Sequence, residues 1–291
     1  MAGFKTSQLV VVLESQLTDT GERGGDQMEN VLTIAGSDSL AGGGIQADLK
    51  TFEELHTFGL SVLTSVVSVL PDELKAFQLP AEVMATQLTS VFDQVPIKAV
   101  KTGLLGNLTA LTLAVKCLRS SQISVVVDPV MVFKEGPLQV TPEYLTALKE
   151  TLLPLATITT PNLLEAQQLS GLTITNREQM VAAARQIQAL GCPNVVIKGG
   201  SRLGGSVAPD CLLIGDDVTW LEAPIILNAA SDGAGCTFSA AITAQLAKGQ
   251  ELLEAVTFAK KFVHAAITHG VAISHDYGSV WPGGWHQVVT K

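Results

Sequence analysis

The chain has 291 residues, 47% of them hydrophobic and 15% charged, enough apolar material to bury a large core without disulfides or a structural metal. With 27 acidic against 18 basic residues it carries a formal net charge of −9 and no Lys/Arg block, so it offers no footprint for nucleic acid or an anionic membrane, and small molecules are the expected partners. No apolar run approaches the roughly 18 residues of a membrane span; Cys117, Cys192, Cys211 and Cys236 have neither CxxC nor zinc spacing and read as free thiols of a reducing, cytoplasmic compartment.

Residues 1–27 read as a disordered leader or non-native extension, because 18–27 is polar and Gly-rich and Met28 leads directly into a hydrophobic strand; 28–291 then forms one domain. Short β-branched runs at 31–35, 61–69, 97–101, 123–127, 157–160 and 195–198 predict buried strands. Helical periodicity fills the intervals. It starts at 44–57, with Ile45, Leu49 and Phe52 on one face, and returns at 81–92, 108–118, 142–153, 177–190, 236–246 and 252–268. This alternation predicts an open, mostly parallel sheet with helices on both faces. The runs 211–214 and 218–221, around Gly215-Asp216-Asp217, predict a hairpin and hence an antiparallel edge.

Ligands of such sheets gather at the carboxyl ends of the strands, which gives weight to the motifs found there. Gly233-Ala234-Gly235-Cys236-Thr237 precedes a helix, where free amides favour an anion and can lower a cysteine pKa toward neutrality. An ordinary Gly-rich helix entry with a buried cysteine is the plain alternative. Asp38, followed by Gly42, Gly43 and Gly44, either holds a polar group of a ring or merely caps a helix. Asp128 and Glu165 are hard oxygen donors on successive strand ends, suited to hydrated magnesium, although Asn162 and Glu165 also read as a helix cap and its capping box. Lys198-Gly199-Gly200 ends another strand, where a lysine reaches phosphate oxygens. Lys101-Thr102-Gly103 has the same style. The five histidines show no cluster and read as ordinary helix or surface residues.

Taken together, Ala35-Gly36-Ser37-Asp38-Ser39, the run 44–52 (GIQADLKTF), Asp128-Pro129-Val130-Met131, Thr160-Pro161-Asn162, Lys198-Gly199-Gly200 and Gly233-Ala234-Gly235-Cys236-Thr237 resemble the pyridoxal kinase and hydroxymethylpyrimidine (phosphate) kinase branch of the ribokinase-like superfamily. The resemblance implies a ribokinase-like α/β fold with a small lid or flap, a homodimer, and ATP with Mg2+ and room for a monovalent cation. It implies Cys236 as general base, Gly233, Ala234 and Gly235 as anion hole, Asp128 and Glu165 as the acids around magnesium, and Asn162, Lys198 and Gly199 as nucleotide contacts. Asp38 and Gly42 to Gly44 would form the wall that receives the ring. Pyrimidine-phosphorylating members often carry glutamine where this chain has Val69, which favours pyridoxal as substrate. Some cysteine-type pyridoxal kinases carry a lid cysteine where Phe133 stands, and many members carry histidine where Asp232 stands. Phosphorylation of the pyridoxal hydroxymethyl group is therefore the expected activity. Hydroxymethylpyrimidine or hydroxymethylpyrimidine phosphate kinase is one alternative, and a non-catalytic vitamin-binding member is another.

Overall fold

The computed structural model describes residues 28–70, 74–133, 136–137, 140–275 and 277–289; the expected 1–27 leader lies outside them. In chain order, β1 (Asn30–Asp38) leads to α1 (Gly44–Glu54), β2 (Phe58–Val69), β3 (Leu74–Gln78), α2 (Ala81–Phe92), β4 (Ala99–Thr102), α3 (Leu108–Leu118) and β5 (Ser124–Val127). A small hairpin of β6 (Val132–Phe133) and β7 (Gly136–Pro137) follows, then α4 (Pro142–Ala147), β8 (Ile158–Thr159), α5 (Leu163–Ser170), α6 (Arg177–Gln188), β9 (Asn194–Lys198), β10 (Val207–Ile214) and β11 (Asp217–Pro224). The chain continues through α7 (Ala234–Ala247), α8 (Leu252–Thr268), a second small hairpin of β12 (Val271–Ala272) and β13 (Gly278–Ser279), and α9 (His286–Val289).

Among the described residues, nine strands form the main sheet in the order β11-β10-β9-β8-β5-β4-β1-β2-β3. The run β9-β8-β5-β4-β1-β2 is parallel, whereas β10 is antiparallel to both β9 and β11 at one side and β3 is antiparallel to β2 at the other. Successive side chains of a strand point to opposite faces, and the core divides accordingly. Leu32, Val100, Val125 and Ile197 pack with Leu88, Leu111, Leu169 and Met180 of α2, α3, α5 and α6. Val31, Ala99, Val126 and Val196 pack with Phe52, Phe238, Ile242 and Phe262 of α1, α7 and α8. Each large apolar side chain so buried contributes about 1.5–3 kcal/mol.

The departures from the predicted elements have local causes. α1 stops at Glu54 because His56 turns left-handed at φ 54° and Thr57 Oγ1 caps the Phe52 carbonyl at 3.0 Å. The predicted helix 142–153 keeps α-geometry only to Ala147, then widens over Leu148–Leu152 and tightens over Leu153–Leu155, where Pro154 has no amide to donate. The C-terminal tail is an anchor: Trp285 packs on Phe258 and Phe262 with ring centres 5.1 and 5.7 Å apart. Among the described residues no helix is long and apolar enough to cross a membrane.

Candidate active site

The ends of β1, β4, β5, β8 and β9 and the start of α7 open on one cavity of about 890 Å³. Asp38, Gly42, Gly43, Gly44, Val69, Asp128, Asn162, Glu165, Lys198, Gly199, Gly233, Ala234, Gly235 and Cys236 all line it. The sequence-predicted residues are thus brought together with one exception, since the Phe133 side chain lies outside what is described.

At one end the wall is apolar, made by Leu40, Val67, Val69, Leu74 and Leu104. Asp38 shapes this end from below: its carboxylate accepts the amides of Leu40 (2.9 Å), Gly42 (3.1 Å) and Gly43 (2.9 Å). The capping alternative for Asp38 is therefore real, and it is also what holds the 39–43 turn against the cavity.

The middle of the cavity is the start of α7. Gly233 stands at φ 80°, and a Cβ there would lie 1.8 Å from the Gly42 carbonyl oxygen, so only glycine lets the turn after β1 touch this loop. Ala234 donates its amide to Ser231 O at 3.2 Å, which withdraws it from the expected anion hole. The first-turn amides of Gly235 and Cys236 have no intrahelical acceptor, an arrangement that favours an anion. Beside them, a Cβ on Gly235 would lie 3.3 Å from Lys198 Nζ, so its absence keeps that ammonium next to the amides.

Lys198 in turn pairs with Asp128 at 3.1 Å. Asp128 also accepts from Thr160 Oγ1 and from Ser239 Oγ of α7, both at 3.1 Å, which ties β5, β8, β9 and α7 to one carboxylate. Asn162 and Glu165 form the capping box of α5: Asn162 Oδ1 accepts the amides of Leu164 and Glu165, and Glu165 Oε2 accepts the Asn162 amide at 2.8 Å. That leaves the side-chain Nδ2 of Asn162 as its donor at the cavity wall. Gly199 directs its own amide to Pro209 O (3.0 Å) and Asp210 Oδ1 (3.1 Å), so its part is to seat β9 on β10.

The electrostatics follow from burial. Burial pushes Glu165 up to about 7, with Asp128 adding to the rise and Lys198 opposing it. Burial works against the Lys198 charge, yet Asp128 and Glu165 hold its ammonium above the usual lysine range. Cys236 departs from expectation. Instead of a lowered pKa, burial pushes its thiol up to about 11; Lys101 and the Gly44 amide pull down, while Asp48 and Asp128 push further up. Without ligand, Cys236 is a thiol at neutral pH.

Among the described residues no three His, Cys, Asp or Glu side chains are grouped to hold a metal. The two carboxylates Asp128 and Glu165 share Lys198, and a hydrated Mg2+ that takes most of its coordination from water and phosphate fits that donor set.

Sequence reasoning left several lining residues unassigned. Lys101, held by its buried partner Asp48, lines the cavity together with Cys236. The far end of the cavity is built from Ile225, Val263 and Ile267, with Lys260 bonded to Asp210 and to Ala208 O, each at 2.8 Å. His264, a residue of helix α8, also lines this end, and burial holds its imidazole toward the neutral form. Only the strand-to-helix layout brings these residues to one wall; a Val/Ile/Lys/His pattern on α8 reads as an ordinary amphipathic helix.

Three comparisons bear on this geometry. A family model described as Phosphomethylpyrimidine kinase matches residues 38–281. The chain is 43% identical over 256 residues to a pyridoxine kinase of Bacillus subtilis, covering 86% of this chain and 94% of that protein. It is 40% identical to a hydroxymethylpyrimidine/phosphomethylpyrimidine kinase of Streptomyces coelicolor, covering 88% of this chain and 94% of the relative. The structure of the pyridoxal kinase from Staphylococcus aureus in complex with AMP-PCP and pyridoxal superposes with a TM-score of 0.84 at 39% identity, over 90% of this chain and 96% of that one.

Proposed function

The chain belongs to the phosphomethylpyrimidine kinase family, and from that premise we propose that it transfers the γ-phosphoryl group of ATP to the hydroxymethyl oxygen of pyridoxal. Pyridoxine and pyridoxamine are further acceptors on this reading. One observation carries it: a single cavity sets Cys236 and the first amides of α7 between an apolar, ring-sized end and the Lys198–Asp128 pair.

The chemistry follows the order of these groups. The ring lies against Val67, Val69 and Leu74, with its hydroxymethyl group toward Cys236. Cys236, once ionised, accepts the hydroxyl proton on Sγ as the oxygen bonds to the γ-phosphorus; the bond to the β-phosphate oxygen breaks and ADP leaves. The Gly235 and Cys236 amides and Lys198 oppose the charge that develops on the transferring group. Asp128 and Glu165 would hold Mg2+ through water, and the ion when bound neutralises phosphate charge. The base of the nucleotide takes the Ile225, Val263 and Ile267 end. Asn162 offers its side-chain amide to phosphate.

A substrate panel tests this reading. Pyridoxal and hydroxymethylpyrimidine are supplied side by side with ATP, and pyridoxal is expected to be phosphorylated with the higher kcat/KM. Preference for the pyrimidine would move the enzyme to the second reading, which the Streptomyces coelicolor relative favours. In the same panel Val69→Gln adds an amide partner for a ring amine and is expected to shift the ratio toward the pyrimidine by about 10-fold, the worth of roughly one hydrogen bond.

Glu165 supports a second test. With its pKa near 7 it is about half protonated at neutral pH, and a cation arriving beside it favours the carboxylate. Binding of Mg–ATP at pH 7 is therefore expected to release a proton, seen as a dependence of calorimetric heat on buffer ionisation enthalpy. At pH 9, where Glu165 is already ionised, the release should vanish, and Glu165→Gln should remove it at pH 7.

We also place the protein in the cytoplasm as a homodimer. The exposed Phe58 and Phe77 on the β2–β3 edge, 53% and 58% accessible, offer a second copy an apolar surface, and sedimentation equilibrium reads the mass.

A further inference from the structure

Asp48 and Lys101 form an ion pair in which both side chains are wholly shielded from solvent. Such a pair loses the hydration of two charges and is often no more stabilising than apolar residues of the same volume, so a different benefit is required at the wall of a reaction cavity. The geometry supplies one. Thr33 and Lys101 are direct neighbours across the β1–β4 pairing and share a sheet face. Asp48 of α1 sits over both, accepting Thr33 Oγ1 at 2.6 Å and the Lys101 ammonium. Gly44, one turn earlier on the same helix, lines the cavity with Cys236, and α1 lies against the start of α7, where a Cβ on Gly233 would stand 3.7 Å from Ala47 Cβ. Successive turns of α1 thus lie against the start of the helix that carries the thiol and bind the lysine, and Lys101 and Cys236 line the same cavity.

We propose that Lys101 is a positioning residue for phosphoryl transfer: its ammonium, tethered by Asp48, is the counter-charge of the Cys236 thiolate, and Asp48 limits how much of that charge the sulfur receives. The inference rests on the reading of Cys236 as proton acceptor. The charged groups around the sulfur are Lys101 from β4, Asp48 from α1, Asp128 from the end of β5 and Lys198 from β9. Lys101 draws the thiol toward ionisation, and the two carboxylates oppose it. The pair is close to neutral as a unit and leaves the resting sulfur protonated. Any shift of Asp48 away from the ammonium, or its protonation, exposes the positive charge to the sulfur.

The test is alkylation of Cys236 by iodoacetamide in the full-length, ligand-free protein across pH, quantified on the Cys236 peptide so that the other cysteines do not contribute. Asp48→Asn keeps an acceptor oxygen for Lys101, with Thr33 Oγ1 accepting from the new amide, but removes the negative charge; the midpoint is expected to fall by about one pH unit, with alkylation at pH 8 about tenfold faster. Lys101→Met is expected to raise the midpoint and slow alkylation about tenfold, the double variant Lys101→Met/Asp48→Asn should follow Lys101→Met, and Lys101→Arg should stay near the unaltered protein. Loosened folding would expose the thiol and speed alkylation in every variant, so slowing in Lys101→Met cannot arise that way. Shifts of the same sign in Asp48→Asn and Lys101→Met, or no shift in either, overturn the proposal. If Cys236→Ala kept full activity, the base assignment would fail while the alkylation order stood, so the two failures are distinguishable.

Discussion

Cys236→Ala is expected to lower kcat for phosphorylation of pyridoxal by about 10²–10⁴-fold, the usual contribution of a positioned acid–base group, with KM for both substrates within about threefold. Cys236 belongs to the first turn of α7 and lines the middle of the cavity, between the apolar end and Lys198. A group there touches the reacting oxygen rather than the ring or the nucleotide base, so removing it takes away an interaction made in the transition state and leaves ground-state binding alone. Burial has pushed the thiol up to about 11. The acid form therefore dominates at neutral pH, and the fraction available as base grows as pH rises toward that value. Activity of the unaltered enzyme should increase with pH from 6 to 9, and the dependence should disappear in Cys236→Ala. A variant with kcat within about threefold of the parent would remove Cys236 from the mechanism and direct attention to Asp232, which lines the same cavity.

Much of the architecture was legible because pattern and punctuation agree. α3 begins and ends where periodicity placed it, and Asn107 caps it through the Ala110 amide at 2.8 Å. β3 escaped notice for the opposite reason. Its sequence, Leu-Lys-Ala-Phe-Gln, lies on the sheet edge with almost every side chain exposed, so no alternation of burial leaves a signal. The extra helix α5 had a visible start in Asn162 and Glu165, whose capping box is formed as the plain reading had it. Those two residues also line the cavity, so the structural and functional readings were never alternatives.

The charge environment was harder to read. Asp48 lies between Ile45 and Phe52 on the buried face of α1, and an acid on an apolar stripe is a sign of a buried partner. That partner, Lys101, is 53 residues away and meets it only because β4 is next to β1 in the sheet. For the thiol of Cys236 the reason is the same: its place at a helix N-terminus is local and legible, whereas its burial comes from the fold and the carboxylates of Asp48 and Asp128 from two other elements, α1 and the end of β5.

Gly233→Ala should be nearly as damaging as loss of the thiol, by a steric route. An L-residue at φ 80° costs about 1–2 kcal/mol. The new Cβ would also overlap the Gly42 carbonyl oxygen at 1.8 Å, so one of the two loops has to move. Neither is free to do so at no cost. The 39–43 turn is held by the Asp38 carboxylate, and Ser279 Oγ bonds both Gly42 O (3.3 Å) and Asp232 O (3.2 Å) from the far side. A shift of about 1 Å either displaces the amides of Gly235 and Cys236 or tilts the wall that receives the ring, and misplacement on that scale costs about 100-fold in rate. Gly171→Ala is the control. It carries a similar φ, 73°, at the end of α5 with nothing within 4 Å of a Cβ, so it bears the backbone strain without the overlap. Both variants should lower the melting temperature, but only Gly233→Ala should lose about 100-fold or more in kcat. Equal activities would mean that the loop joining β1 to α1 and the start of α7 can separate without harm to the anion site.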